Sequence, residues 1–481
     1  MTSSITTCTV HWSCIQPVTP ADALSSLQAI STVMIKTGAA AVTVVALALL
    51  AIQESSATPL PVRVSAKASY KERLAAAREL LRESPLIDGH NDLAWNLRMF
   101  LHNKLHSFNL SADLAQEKPW MKSPFSHTDL PRLRRGHVAA QFWSVYVPCE
   151  SQYLNTVQLL MEQIDVIKRM IAASPEETTL VTSPAGIEAE FHNGRVASLM
   201  GVEGGHSLAS SMGVMRALYD LGVRYITLTH KCHTPWAECS ETGGPAANSR
   251  GLTPYGKEMI REMNRLGMMV DLSHSSTSTV RDAIETSLAP VIFSHSAARA
   301  LCDIERNVPD DVLSSLASNG GLVMVSFYND FLTCGKKATI KNVIEHINHI
   351  RSMAGVDHVG LGAGYDGINR TALGLEDVSK YPELFAELLR DETWSLQDLK
   401  KLAGVNLLRV FREVEQVREK AVQEALEGET PSEDIIPIHD IDAYWPCRYK
   451  FANVDLERSR RCIFGLRVQF SVLPTSIRIV R

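Results

Sequence analysis

This 481-residue sequence predicts an α/β fold of the (β/α)8, TIM-like barrel type, and three observations predict it. Eight short apolar runs alternate with helical patterns. The runs are nearly continuous rather than alternating polar and apolar, which is the mark of a parallel sheet covered on both faces. Metal-capable polar residues gather at the ends of five of them. A doubly wound open sheet is the alternative; a barrel makes the sharper prediction, that chemistry sits at the C-terminal ends of the strands.

The runs are PLIDGH (85–90), AAQFWSVYV (139–147), VASLMGVEG (196–204), VRYITLTH (223–230), MMVDLSH (268–274), APVIFSHS (289–296), GGLVMVSFY (320–328) and HVGLGAGYDG (358–367). Between them, MRALYDL (215–221) reads as a helix stopped by Gly222, and GKEMIREMNRL (256–266) as one stopped by Gly267. TIKNVIEHINHIRSMAG (339–355) has an amphipathic period.

The first run continues as LIDGHNDLAW, placing His90 and Asp92 two apart. On an extended backbone both side chains point the same way, and an imidazole beside a carboxylate suits a metal with mixed N/O ligands. Alone, such a triplet is ordinarily a polar turn closing a strand. Glu203, His230, His274 and His295, however, lie at or just past the ends of four other runs. Polar residues scattered at random would not choose the same end of five strands. His346 and His349, one turn apart on an outer-helix pattern, read by contrast as structural.

The formal net charge of -5 argues against a nucleic-acid surface. Residues 37–52, TGAAAVTVVALALLAI, are apolar but short of the ~20 residues that a spanning helix needs. With Lys36 before and Ser55-Ser56-Ala57 after, they read as a signal peptide starting at Met34, or as a signal anchor if Met1 is used. Residues 1–57 are thus expected to be an N-terminal extension, 70–430 the catalytic barrel, and 431–481 a C-terminal segment with a basic tail. Either start directs the barrel to the secretory lumen, hence outside the cell or on its surface. The nine cysteines contain no CxxC, so no zinc ribbon is indicated, and in an oxidising lumen most should pair. Asn109-Leu-Ser and Asn369-Arg-Thr are glycosylation acceptors.

Three imidazoles and two carboxylates exceed what one tetrahedral zinc requires. They suit two ions sharing a bridging carboxylate, Glu203, and such a pair activates water for attack on an amide or ester.

The motifs IDGHNDL, QFWSVYVPC, GVEGGHS, ITLTH followed by TPW, NRLGMMVDLSH, APVIFSHS, RNVPDDVL and GLEDVSKYP resemble membrane dipeptidase (renal dipeptidase), a zinc metallopeptidase family whose barrel is that of an amidohydrolase-like metal-dependent hydrolase, from about Ser84 to about Phe411. The resemblance implies His90, Asp92 and Glu203 on one zinc, and Glu203, His274 and His295 on the other. It implies that His230 steadies the oxyanion and that Arg306 binds the substrate's terminal carboxylate, a task suited to a guanidinium fork. It further implies disulfides Cys149–Cys232 and Cys302–Cys334, and an intersubunit bridge through Cys447 in a homodimer. The implied substrates are dipeptides, including cysteinyl-glycine-type peptides and leukotriene D4-like compounds.

Two features depart from the family. Its eighth strand ends in Gly-Asp-(Phe/Tyr)-Asp-Gly, whereas this chain reads GLGAGYDG: Gly364 replaces the first aspartate and Asp366 retains the second. Loss of a positioned acid/base removes about two to four powers of ten in rate, with Asp366 able to compensate in part if the strand stays extended. A metal-binding pseudoenzyme serving as receptor or interaction domain is therefore the alternative to an active dipeptidase; an amidohydrolase of non-peptide amides would leave Arg306 without a purpose. The second departure is the tail. Residues 448–481 carry Arg458, Arg460, Arg461, Arg467, Arg478 and Arg481 and lack the apolar stretch of a glycolipid-anchor signal, which points to a secreted form or one held by its N-terminus.

Overall fold

The computed structural model describes residues 65–241 and 250–426. The expected leader at 1–57 and the segment 431–481 with Cys447 lie outside the described residues. Each of the eight runs contains a strand, and one short strand was not anticipated. In chain order they are β1 (Leu86–Asn91), β2 (Val138–Tyr146), β3 (Thr178–Leu180), β4 (Val196–Glu203) and β5 (Val223–Thr227), then β6 (Met269–Asp271), β7 (Ile292–Ser296), β8 (Leu322–Val325) and β9 (Val359–Leu361).

The hydrogen-bonded order is β2-β1-β9-β8-β7-β6-β5-β4-β3, every pairing is parallel, and β2 also pairs with β4. That last pairing runs in unbroken register from Ala140↔Ala197 to Tyr146↔Glu203. It closes eight strands into a barrel and rules out the open sheet. The three residues of β3 lie along the first part of β4, from Thr178↔Val196 to Leu180↔Ser198. So short a piece carries no apolar run by which a sequence could reveal it.

Helices follow the strands as the periodicity predicts: Met212–Asp220, Pro254–Leu266 and Ile340–Ala354 occupy the three named positions. The 254–266 helix starts on Thr253, whose side chain accepts from the Gly256 amide, and stops at Gly267 with φ 77°. At the strand starts, Ile87, Met269, Ile292 and Leu322 form one apolar cluster with Leu407, Leu408 and Phe411 of the helix Asn406–Leu426. The apolar filling therefore lies at the strand starts, leaving the strand ends for polar groups. His346, on the 340–354 helix, is a satisfied core histidine. It accepts from the Ala298 amide at 3.0 Å and donates to the Leu332 carbonyl at 2.9 Å. Among the described residues, no helix is long and apolar enough to cross a membrane.

Candidate metal centre

His90 is the fifth residue of β1, Glu203 the last of β4 and His295 the fourth of β7, while His230 and His274 follow β5 and β6 by three residues. All point into one rim. The Nε2 atoms of His274, His295, His90 and His230 lie 3.2, 3.4, 3.6 and 3.8 Å from Glu203 Oε1. Asp92 Oδ2 is 3.3 Å from His90 Nε2. Asp92 reaches it from outside the strand, as the N-cap of helix Leu93–Leu101 with φ -101° and ψ 17°. The two side chains meet as expected, but through a helix start rather than an extended backbone.

Two groups of donors lie within ligand reach: His90, Glu203 and His295, and Glu203, His230 and His274, the atoms of each within 4.8 Å of one another. Glu203 belongs to both. The grouping sets His295 with His90, where the family pattern sets Asp92. These donors fit a metal. His90 Nε2 is buried without a hydrogen-bond partner, and the Nε2 atoms of His274 and His295 face each other at 3.1 Å. Lone pairs so close are stabilised by a cation between them.

The surrounding residues orient the rings. Tyr225 donates its hydroxyl to the Gly89 carbonyl at 3.1 Å and so accepts from His90 Nδ1 at 3.1 Å, leaving Nε2 as a lone pair for the rim. The Tyr225 ring reaches across the barrel because residue 201 is glycine; a Cβ there would stand 2.0 Å from Tyr225 Cζ. Ser294 Oγ donates to Asp271 Oδ2 at 2.5 Å and accepts from His295 Nδ1 at 2.9 Å. Thr227 Oγ1 donates to the same Asp271 oxygen at 2.5 Å. Asp88 anchors the base of the site, its Oδ1 accepting from the amides of His90 and Ala363, each at 3.1 Å. His274 is held in a left-handed conformation, φ 64°, by donors to its carbonyl: the Ser240 amide at 2.8 Å and Thr229 Oγ1 at 3.0 Å. Such backbone strain is retained where a site over-determines it. His274 Nδ1 faces Glu241 Oε1 at 3.7 Å.

Burial pushes the Glu203 carboxyl upward, but the surrounding imidazoles, His90 first, outweigh it and hold it well below the usual range. Burial and the neighbouring His274 push His230 down to about 3, so it is neutral. Its Nδ1 lies 4.0 Å from Cys149 Sγ.

Arg306 donates from Nη1 to Ser296 Oγ and from Nη2 to the His295 carbonyl, each at 2.6 Å, and stacks on Phe331 at 4.7 Å. All these partners are uncharged. Burial lowers its pKa to about 10, so it stays cationic at neutral pH. Glu241 is recessed enough at the site mouth for burial to raise it, yet His274, Lys231 and Arg306 hold it at about 2.

Asp366 does not join the rim as an extended strand would have placed it. β9 ends at Leu361, and Gly364 and Asp366 both take left-handed backbone, φ 77° and 66°. Asp366 turns instead to the segment at 127–132. Its amide donates to His127 Nδ1 at 3.0 Å and its Oδ1 accepts from the His127 amide at 3.4 Å, while Oδ2 is buried without a partner. Burial raises it to about 7, against a hydrogen bond from Thr128 and the charge of Arg132.

Both implied disulfides are present, Cys149–Cys232 and Cys302–Cys334. The acceptor asparagines Asn109 and Asn369 are exposed. Sequence reading missed Tyr225, Ser294, Asp271 and Glu241. The available signal for two of them was a serine and an aspartate inside otherwise apolar barrel strands.

Residues 74–425 match the family model described as Membrane dipeptidase (Peptidase family M19). The chain belongs to the membrane dipeptidase family. It is 47% identical over 363 residues to Dipeptidase 3 of Rattus norvegicus, covering 75% of this chain and 70% of that protein. It is 49% identical over 360 residues to Dipeptidase 3 of Homo sapiens, covering 74% and 70%. Among solved structures, the metallopeptidase dipeptidase AC superposes with TM-score 0.62 at 24% identity, covering 69% of this chain and 98% of that one. A Rhodobacter sphaeroides metallopeptidase, solved with a phosphinate mimic of the dipeptide L-Ala-D-Ala, gives TM-score 0.61 at 24% identity, covering 69% and 99%. Both carry the same fold.

Proposed function

We propose that this membrane dipeptidase family member is a binuclear zinc dipeptidase, with Glu203 bridging two ions held by His90, Asp92, His274 and His295. The observation that carries the reading is a rim of ring nitrogens around one carboxylate, beside a buried guanidinium whose hydrogen-bond partners are uncharged. Bound there, zinc supplies an activated water near neutral pH and Lewis acidity toward a carbonyl.

The protein's own groups do the rest. Arg306, tied to the His295 carbonyl, receives the substrate's terminal carboxylate as a bidentate pair. Because that anchor sits on a rim residue's own backbone, only a short peptide places its scissile bond over the rim. Neutral His230 donates from Nε2 to the developing oxyanion. Asp366, raised to about 7 by burial, is the surviving carboxyl of the family pair, and because it faces His127 rather than the rim, a proton it holds reaches the reaction only through intervening groups. Candidate substrates are cysteinyl-glycine-type dipeptides and leukotriene D4-like compounds. The proposed setting is the exterior or surface of the cell, as a disulfide-linked homodimer glycosylated at Asn109 and Asn369.

Gly364 supports a second reading, a metal-bearing pseudoenzyme acting as a receptor or interaction domain. Measuring zinc content and dipeptide turnover on purified protein, with and without a chelator, separates the readings. Two zinc per chain with chelator-sensitive turnover supports the enzyme, and two zinc without turnover the pseudoenzyme. A Gly364→Asp variant completes the test. A Cβ at 364 meets nothing closer than 3.7 Å and Asp tolerates left-handed backbone, so the variant folds. A rise of about a hundredfold or more marks position 364 as limiting.

A further inference from the structure

Beside the rim, on its outer side, lies a second set of soft donors that the hydrolytic reading does not use. Both sulfurs of Cys149–Cys232 and one ring nitrogen of His206 lie within 4.8 Å of one another. His206 is 2% exposed. Its Nε2 donates to the Val147 carbonyl at 3.0 Å, so Nδ1 carries the lone pair, and Nδ1 is buried with no hydrogen-bond partner. A buried ring nitrogen left unsatisfied is costly in a folded core. The same ring sits beside two sulfurs that a disulfide keeps from acting as ligands. Both cysteines are partly exposed, so a small reductant can reach them. The other side of Cys149 faces His230 Nδ1 at 4.0 Å.

We propose that opening of Cys149–Cys232 by a small thiol creates a metal site of Cys149, Cys232 and the His206 imidazole, next to His230 and distinct from the rim. In the first step a thiolate attacks one sulfur of the bridge, forming a mixed disulfide and releasing the other cysteine as a thiol. A second thiolate attacks the mixed disulfide and leaves with the first as a small-molecule disulfide, so two electrons pass to the protein. A soft divalent cation such as zinc, cobalt or cadmium then displaces the two thiol protons and takes the imidazole as third ligand. Two cysteines, one histidine and an open position form a known zinc donor set. The site depends on the observed disulfide and His206 alone, and stands whether or not the rim hydrolyses dipeptides.

The test uses the full chain, treated with a phosphine reductant under conditions that keep it folded, then titrated with cobalt. Rim ligands are nitrogen and oxygen, so a thiolate-to-cobalt charge-transfer band reports cysteine ligation, and its dependence on His206 separates the new site from thiols released at Cys302–Cys334. The expected result is that this band appears only after reduction, with new thiols mapped to Cys149 and Cys232. His206→Gln should weaken cobalt affinity at the band by about tenfold or more. Absence of the band, failure of that pair to reduce while the fold persists, or a band unchanged in His206→Gln overturns the proposal. Should His206→Gln misfold, cadmium NMR on the reduced parent decides: a resonance with two sulfurs and one nitrogen upholds the site, and its absence rejects it.

Discussion

On the β1–β7 side of Glu203 the imidazoles are backed by groups fixed inside the barrel: His90 by Tyr225, and His295 by Ser294 and Asp271. On the β5–β6 side the backing is looser. His274 Nδ1 faces Glu241 across 3.7 Å, that carboxylate also lies 3.9 Å from Lys231, and its side chain is 33% exposed. His230 has a disulfide sulfur at 4.0 Å from Nδ1 and the edge-on ring of Tyr146 at 5.0 Å. One side is set by packing, the other by loops and a covalent bridge. A metal bound by the first should be hard to lose and one bound by the second easier to exchange, because orienting partners govern ligand geometry.

The largest expected effect belongs to the residue the two sides share. Glu203→Gln should drop zinc content from two ions towards none and cut dipeptide turnover by about a thousandfold or more. Retention of one tightly held ion, read by elemental analysis after dialysis, would show that the sides are independent.

Next comes Asp366, behind Asp92. Its folded pKa of about 7 lies above the unfolded value, so its stability contribution is full below pH ~4 and lost as pH rises through about 7. Asp366→Asn should therefore unfold with a flatter stability profile between those limits, gaining up to about 4 kcal/mol relative to the parent at the upper end. Identical profiles in chemical denaturation would place the titration elsewhere.

Breaking the packed side through Asp271→Asn should weaken one zinc by about 10- to 100-fold, measured by competition with a chromophoric chelator. The smallest effect is expected from Glu241→Gln on the loose side, about tenfold or less and confined to the other ion. Equal losses from the two variants would erase the distinction.

His90, Asp92, Glu203, His230, His274 and His295 were legible in the sequence because residue type and position at a strand end are local properties. Arg306 and the disulfides were legible through resemblance to the family. Tyr225 and Asp271 were not, for a different reason. Tyr225 meets His90 across 135 residues, and Asp271 meets Thr227 across 44. A buried tyrosine or aspartate acquires its orienting role only when barrel closure brings the partner strand alongside. The short strand β3 escaped because it has too few residues to show a period.

What the amino-acid order determined alone was the barrel class, the eight strand positions and the identity of the rim donors. Apolar periodicity and donor chemistry are written residue by residue along the chain. Tertiary structure decided how those donors group around Glu203, why His274 adopts left-handed backbone, and where Asp366 points once its strand stops at Leu361. It also left Arg306 buried among uncharged partners. These outcomes depend on register and on hydrogen bonds between distant segments, which exist only after the sheet has closed.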